Sequence, residues 1–231
     1  MDSSLKKTVD YAVENTIIRV TFDDIIQVSA DALVSSDNNR LTMETGVSRA
    51  IRKAAGEEVY QEAHAHAPLG LSDVVVTSAG RLSPQYIFHA VTVDFDKKIG
   101  PSERSLAEVT RKCLQLADTL GVRRIAFPAL GTGALSVPFQ AAAAIMTRAM
   151  VEYIREGTRL EQVIIVLFAP RGADPGEMGV FHGALANLAV DVVPDDLTLS
   201  PPPDFEHLLV KRKSKAAGAT KAAGVDTVSA T

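Results

Sequence analysis

The stretch Gly131-Thr132-Gly133-Ala134-Leu135-Ser136-Val137-Pro138 runs from the end of an apolar segment, residues 124–130 (RIAFPAL), to a proline suited to open a helix. Glycines permit positive φ and close backbone approach, and a loop ending at a helix N-terminus presents unpaired N–H groups to an anion. The chemistry on offer is a cradle for a diphosphate. It is not a P-loop, because no Gly-Lys-Ser/Thr follows. The dinucleotide fingerprint is incomplete too, with Ser136 where its third glycine falls and bulky Leu135 beside it. The same run also makes a plain strand-to-helix turn, and on these residues alone the two readings stand level.

A second candidate lies within residues 31–56. A short apolar run ends in Ser35-Ser36-Asp37-Asn38-Asn39, and Met43-Glu44-Thr45-Gly46-Val47 leads into a helical pattern. Ligands of open α/β sheets sit beyond the carboxyl ends of the strands, so both loops belong on one edge. The polar cluster is also ordinary turn chemistry. Other groups offer less. His64 and His66, two apart on a helical pattern, face nearly opposite sides and cannot chelate one metal together. His89 lies in an apolar strand and reads as a core histidine with its hydrogen bonds satisfied. Cys113 shares a helical face with Leu106, Val109, Leu116 and Leu120 and reads as a small core residue. No Gly-x-Ser-x-Gly nucleophile elbow occurs, and neither a metal site nor a resident cofactor is indicated.

The elements that must hold these loops alternate. Residues 16–22 (TIIRVTF) and 32–35 (ALVS) read as strands, then Val47, Ala50, Ile51, Ala54, Ala55 and Val59 fall on one face of a helix that Gly70 ends. Residues 73–78 (DVVVTS) and 86–93 (YIFHAVTV) are strands joined too closely for a crossover helix, so they pair antiparallel or meet at a sheet edge. Pro101 is placed as the first residue of the next helix, which Gly121 closes. After the strand at 124–130, Pro138 opens a helix with Phe139, Ala143, Met146, Met150 and Tyr153 inward. Residues 163–168 (VIIVLF) read as a buried strand, and a last helix falls near 176–189. The pattern predicts an α/β protein: three α/β/α layers around a mixed, mainly parallel sheet.

Composition sets the limits. The chain has 231 residues, 46% of them apolar, 23% charged, with net charge −4. That suffices for a sizeable core and gives no basic face for whole-domain nucleic-acid binding. The basic run Lys211-Arg212-Lys213 with Lys215 offers at most weak, salt-sensitive contact with an anionic partner. One cysteine makes no internal disulfide, and no signal-peptide core or membrane span is visible, so the expected location is the cytoplasm. The expected organisation is an N-terminal extension over 1–15, one domain over 16–193, and a Pro-containing linker with a Lys/Ala-rich, disordered tail over 194–231.

From about residue 17 to 189 the chain resembles the macro domain family, three-layer α/β/α modules that bind ADP-ribose. Asp23-Asp24-Ile25 is similar to the family's Gly-Asp-Ile segment, and Val34-Ser35-Ser36-Asp37-Asn38 to its Val-Asn-Ala-Ala-Asn strand end. Glu44-Thr45-Gly46-Val47, with Ile51 and Ala54-Ala55-Gly56, is similar to its glycine-rich loop and first helix. Tyr86-Ile87-Phe88-His89 resembles a core strand. Ala126-Phe127-Pro128-Ala129-Leu130-Gly131-Thr132-Gly133, with Pro138, resembles the second phosphate loop. The pieces keep family order and spacing.

The resemblance implies roles. Asp24 accepts a hydrogen bond from the adenine amino group, with the Ile25 backbone nearby. Asn38 contacts the distal ribose and is the one catalytic candidate. Gly46 and Val47 offer backbone N–H groups to the diphosphate, and Gly131, Thr132, Gly133 and Ala134 wrap it from the other side. Leu135 replaces a frequent aromatic and offers apolar contact to a ribose. The departures bear on activity. Glu44 and Thr45 stand where the family's first loop has glycines, and Ser48 stands where hydrolytic members carry an aspartate. A serine without a base substitutes poorly for that carboxylate. The expected function is recognition of ADP-ribose, free, derivatised or attached to a protein. The alternatives are hydrolysis of ADP-ribosyl or O-acyl-ADP-ribose linkages, and a macro-like scaffold without a ligand.

Overall fold

The computed structural model describes residues 7–133, 137–169 and 174–193. Ala134, Leu135 and the whole 194–231 segment lie outside them.

Eight strands form one sheet: β1 (Thr8–Val13), β2 (Thr16–Phe22), β3 (Ala32–Asn38), β4 (Val74–Ser78), β5 (Tyr86–Val93), β6 (Arg124–Pro128), β7 (Gln162–Leu167) and β8 (Asp191–Val192). Their order is β4-β5-β3-β6-β7-β2-β1-β8. The five central strands, β5, β3, β6, β7 and β2, are mutually parallel, while β4 and β1 flank them antiparallel. Five helices complete the fold: α1 (Gly46–Ala55), α2 (Glu57–His64), α3 (Glu103–Thr119), α4 (Phe139–Arg155) and α5 (Pro175–Ala186).

Strand alternation sorts the core into two faces. Leu33, Ile87, Val91, Ala126 and Ile164 face one way, against Ile51 and Ala55 of α1 and Val59 and Ala63 of α2. Val34, Phe88, Ala90, Phe127 and Ile165 face the other, against α3, α4 and α5. This is the mixed α/β/α layering expected from the alternating pattern. Cys113 is fully buried on the second face, and burial pushes its thiol pKa up.

Several boundaries differ from the sequence reading. Within the segment read as an extension, Thr8–Val13 forms β1, paired with β2 from Thr8↔Thr21 to Val13↔Thr16. The single helix expected after Thr45 is two, because Gly56 adopts φ 121° and breaks the ladder between Ala55 and Glu57. Pro101 is not helical: Ser102 caps α3 in a reciprocal capping box with Ser105. The last helix ends at Ala186.

Pairing along β3 is uneven. Toward β5 it runs the whole strand, from Ala32↔Tyr86 to Asn38↔Val93. Toward β6 it is confined to Ala32↔Ile125 and Leu33↔Ala126. Beyond Leu33 the two central strands part.

Candidate functional site

Because the central strands are parallel, their carboxyl ends share one edge. Reading across it, β5 leads to residues 94–101, β3 to 39–45, β6 to 129–138, β7 to Phe168 and β2 to Asp23-Asp24-Ile25. All candidate residues from the sequence that the structure describes therefore stand at one edge. The two proposed anion loops leave adjacent strands, at the point where those strands separate.

The loop after β3 is wound tightly on itself. Asn38 Nδ2 donates to Thr42 Oγ1 (2.8 Å), and Asn38 Oδ1 accepts the Arg40 amide (2.9 Å). An amide carries two N–H donors, so one remains for another partner. Asn39 accepts from the Phe95 amide (3.0 Å) and donates to Asp96 (2.8 Å), which also takes Arg40 Nε (2.8 Å). Those bonds from Arg40 and Asn39 hold the Asp96 carboxyl below its ordinary range. Thr42 and Asp96 thus fix the Asn38 loop, a role no local motif announces.

The loop ends at Gly46, whose φ of 54° lies in the left-handed region that glycine adopts without strain. Gly46 opens α1. Thr45 makes no side-chain cap bond, and no acid occupies the first turn. Glu44 lines an open groove of about 530 Å³ with Arg49, Arg52, Lys53 and Arg81 along the flank of α1. Glu57 lines it too and is paired with Arg52 (2.8 Å). Ser48 is buried, its hydroxyl given to the Thr45 carbonyl (2.9 Å).

The loop after β6 is pinched at its base, where the Val137 amide donates to the Gly131 carbonyl (3.1 Å). Gly131 has φ 75°, and a Cβ there would meet Leu106 and Pro101 at 3.2–3.3 Å. Thr132 spends its hydroxyl on the Ala129 carbonyl (2.8 Å). Gly133 is exposed, and a Cβ added there would meet no heavy atom within 4 Å. Helix α4 then starts after Pro138, again with no side-chain cap and no first-turn acid. Among the described residues, α1 and α4 are the two helices that lack both. Glu57 and Glu58 occupy the first turn of α2, a capping box and Glu103 begin α3, and Asp174 and Glu177 begin α5.

At the far end, the Asp23 amide donates to the Leu167 carbonyl (3.2 Å), which joins the loop after β2 to the end of β7. Asp24 is half-buried, its Oδ1 accepting the Ile26 amide (3.2 Å), and Ile25 is buried in the core. Phe168 was expected inside a buried strand. Instead β7 ends at Leu167, opposite Phe22, and Phe168 is 67% exposed beside this loop. An apolar run cannot reveal which of its members lies past the last paired residue.

The remaining sequence candidates have structural partners. His89 is fully buried between Asp37 and Thr77. His64 Nδ1 lies 2.9 Å from the Arg40 carbonyl, with its ring stacked on Tyr60. Among the described residues no group of three His, Cys, Asp or Glu could hold a metal, and no helix is long and apolar enough to cross a membrane.

Known proteins agree with this geometry. A protein of Aquifex aeolicus without assigned function is 38% identical over 151 residues, spanning 64% of this chain and 88% of the relative. A macro domain-containing protein of Caldanaerobacter subterraneus is 34% identical over 160 residues, spanning 67% of this chain and 90% of the relative. Among solved structures, the Oceanobacillus iheyensis macrodomain superposes with TM-score 0.69 at 24% identity, over 79% of this chain and 97% of that one. The Trypanosoma brucei macrodomain in complex with ADP-ribose superposes with TM-score 0.64 at 23% identity, over 73% and 68%. These two establish the fold. A family profile described as macro domain matches residues 34–146. The chain belongs to the macro domain family.

Proposed function

We propose that this domain recognises ADP-ribose, free or attached to a protein, along the carboxyl edge of its sheet. The observation that carries the reading is the pair α1 and α4. Their N-termini follow adjacent strands, and among the described residues they are the two helices with neither a side-chain cap nor an acid in the first turn. Uncapped N–H groups and two positive dipole ends suit a diphosphate. Gly46 and Val47 bind it from one side. Gly131, Thr132, Gly133 and Ala134 bind it from the other, with Leu135 against a ribose.

On this reading the ligand runs along the strand order. Adenine lies over the ends of β2 and β7, where Asp24 accepts its amino group, the Ile25 backbone flanks it and exposed Phe168 supplies a stacking face. The distal ribose lies over β3, at Asn38. Two relatives of this fold are described as holding ADP-ribose, the Trypanosoma brucei macrodomain and a variant of the Oceanobacillus iheyensis macrodomain. The buried, committed hydroxyl of Ser48 supports recognition over hydrolysis, since it stands where a hydrolytic carboxylate is expected.

The test is a calorimetric titration of ADP-ribose into the full chain, with AMP as control. Micromolar binding that prefers ADP-ribose is expected. No heat, and no displacement of a fluorescent ADP-ribose analogue, would overturn the reading.

A further inference from the structure

Between Asp37 and Asn38 the ladder of β3 with β5 changes register. Asp37 opposes Val91 but Asn38 opposes Val93, so Thr92 is an extra residue on β5. Such an irregularity at the end of a strand re-aims the side chain that follows it. That side chain is Asn38.

The irregularity is gripped from both faces of the sheet. On the face toward α3, the Thr92 hydroxyl meets Ser36 Oγ at 2.9 Å and the Asp37 carbonyl at 3.4 Å. On the face toward α1, His89 Nδ1 lies 3.0 Å from Asp37 Oδ2, and His89 Nε2 lies 3.0 Å from Thr77 Oγ1. Asp37 and His89 side chains are both 0% exposed.

This arrangement is expensive for a β-sheet core. A carboxyl and an imidazole sit among Leu33, Ile87 and Val91, where apolar groups would pack without desolvation cost. Asp37 Oδ1 and the Ser35 hydroxyl, on the same face, have no hydrogen-bond partner among the described residues, a further penalty. Conformational specificity is one use to which buried polar groups are put.

We propose that the Thr77–His89–Asp37 chain is a positioning device that sets the register of β3 at Asn38 and so the domain's selectivity for the distal ribose. The inference rests on the proposed contact of Asn38 with that ribose. His89 and Asp37 touch no ligand; they act through the strand end they hold. Asn38 is 7% exposed and already bonded to Thr42 and Arg40, so a small change in its direction cannot be absorbed by side-chain rotation.

The experiment compares the full chain with Asp37→Ala/His89→Leu, a double substitution that removes both buried polar groups together and leaves no charge unpaired. Each protein is titrated with ADP and with ADP-ribose. If the wild type binds ADP-ribose, the double variant is expected to keep ADP affinity within about twofold and lose about tenfold for ADP-ribose. A merely structural pair would weaken both ligands alike or neither, and an unchanged ratio between them overturns the proposal. If the wild type binds neither ligand, the functional reading fails separately. The positioning claim is then read from nitrogen–proton spectra without ligand. Shifted side-chain amide signals of Asn38 in Thr77→Val, a change two strands away that leaves the chain neighbours of Asn38 intact, support it, and unmoved signals overturn it. If the double variant does not fold, Thr77→Val, which removes the distal bond to His89 together with the hydroxyl's bond to the Ser78 carbonyl, is read by the same two measurements.

Discussion

Tyr153, near the end of α4, donates its hydroxyl to Asp118 Oδ2, near the end of α3, across 2.7 Å. The same oxygen accepts from Thr158 Oγ1 at 2.6 Å, and Oδ1 accepts the Arg159 amide at 3.0 Å. One carboxylate therefore joins two helices to the turn that leads into β7. Burial by itself would raise the Asp118 pKa, but the bonds from Thr158, Tyr153 and the Arg159 amide outweigh it and hold the carboxyl below the usual aspartate range. Burial and the bond to Asp118 push the Tyr153 phenol up.

A depressed folded-state pKa means that this group stabilises the fold above the pKa of an unfolded aspartate, about 4, and that the contribution fades as pH falls through the folded value. Asp118→Asn is expected to cost about 1–3 kcal/mol at neutral pH, and the gap from wild type is expected to narrow below about pH 4. Urea denaturation at a series of pH values measures it. A gap that stays constant into acid would show that the charge of Asp118 contributes nothing.

Gly133→Glu is expected to abolish ADP-ribose binding with little change in melting temperature. A Cβ at Gly133 meets no heavy atom within 4 Å, so the fold tolerates a side chain. A carboxylate beside a bound phosphate repels it by about 4 kcal/mol at roughly 4 Å and an effective dielectric near 20. Unchanged affinity in the folded variant would remove this loop from the site.

Asp24→Ala separates adenine recognition from phosphate recognition. Affinity for AMP and ADP-ribose is expected to fall about tenfold or more, while binding of ribose 5-phosphate stays the same. Because Asp24 also accepts the Ile26 amide, equal losses for all three ligands would assign it to loop geometry instead.

Phe168→Ala tests the aromatic at the same end. Base stacking contributes about 1–3 kcal/mol, and the 67% exposed ring has little packing to lose. AMP and ADP-ribose affinity are expected to drop together by that amount, at unchanged stability. Retained affinity would place adenine elsewhere along the edge.

The layered fold and the antiparallel β4–β5 pair were legible because they rest on hydrophobic period and loop length, both local quantities. The alternation of Val9, Tyr11 and Val13 also marks β1, yet its burial depends on β2 beside it, a contact no single segment displays. The helix after Gly46 kept an unbroken apolar face through Gly56, so periodicity ran across a break that only the backbone angle reveals. For the proposed site, glycines and strand ends pointed to two loops that the fold places on one edge. The contacts of Thr42 and Asp96 and the exposure of Phe168 stayed unseen because they depend on what lies beside them at the edge, after the chain has folded. His89 read correctly as a satisfied core histidine, but its partners, Asp37 and Thr77, come from two other strands.

The parting of β3 from β6 past Leu33 has a further consequence. From Val34 to Asn38 the strand is laddered only toward β5, so the middle of the sheet carries a seam, the kind of unpaired edge that proteins usually keep at their margins. Here that raw margin faces inward, between two helix ends. If the proposed ligand sits at the open end of this seam, its phosphates are expected to take up hydrogen bonds that a neighbouring strand would otherwise receive. Occupancy would then be a form of sheet completion, and amide exchange along the ends of β3 and β6 is expected to slow when ADP-ribose is added.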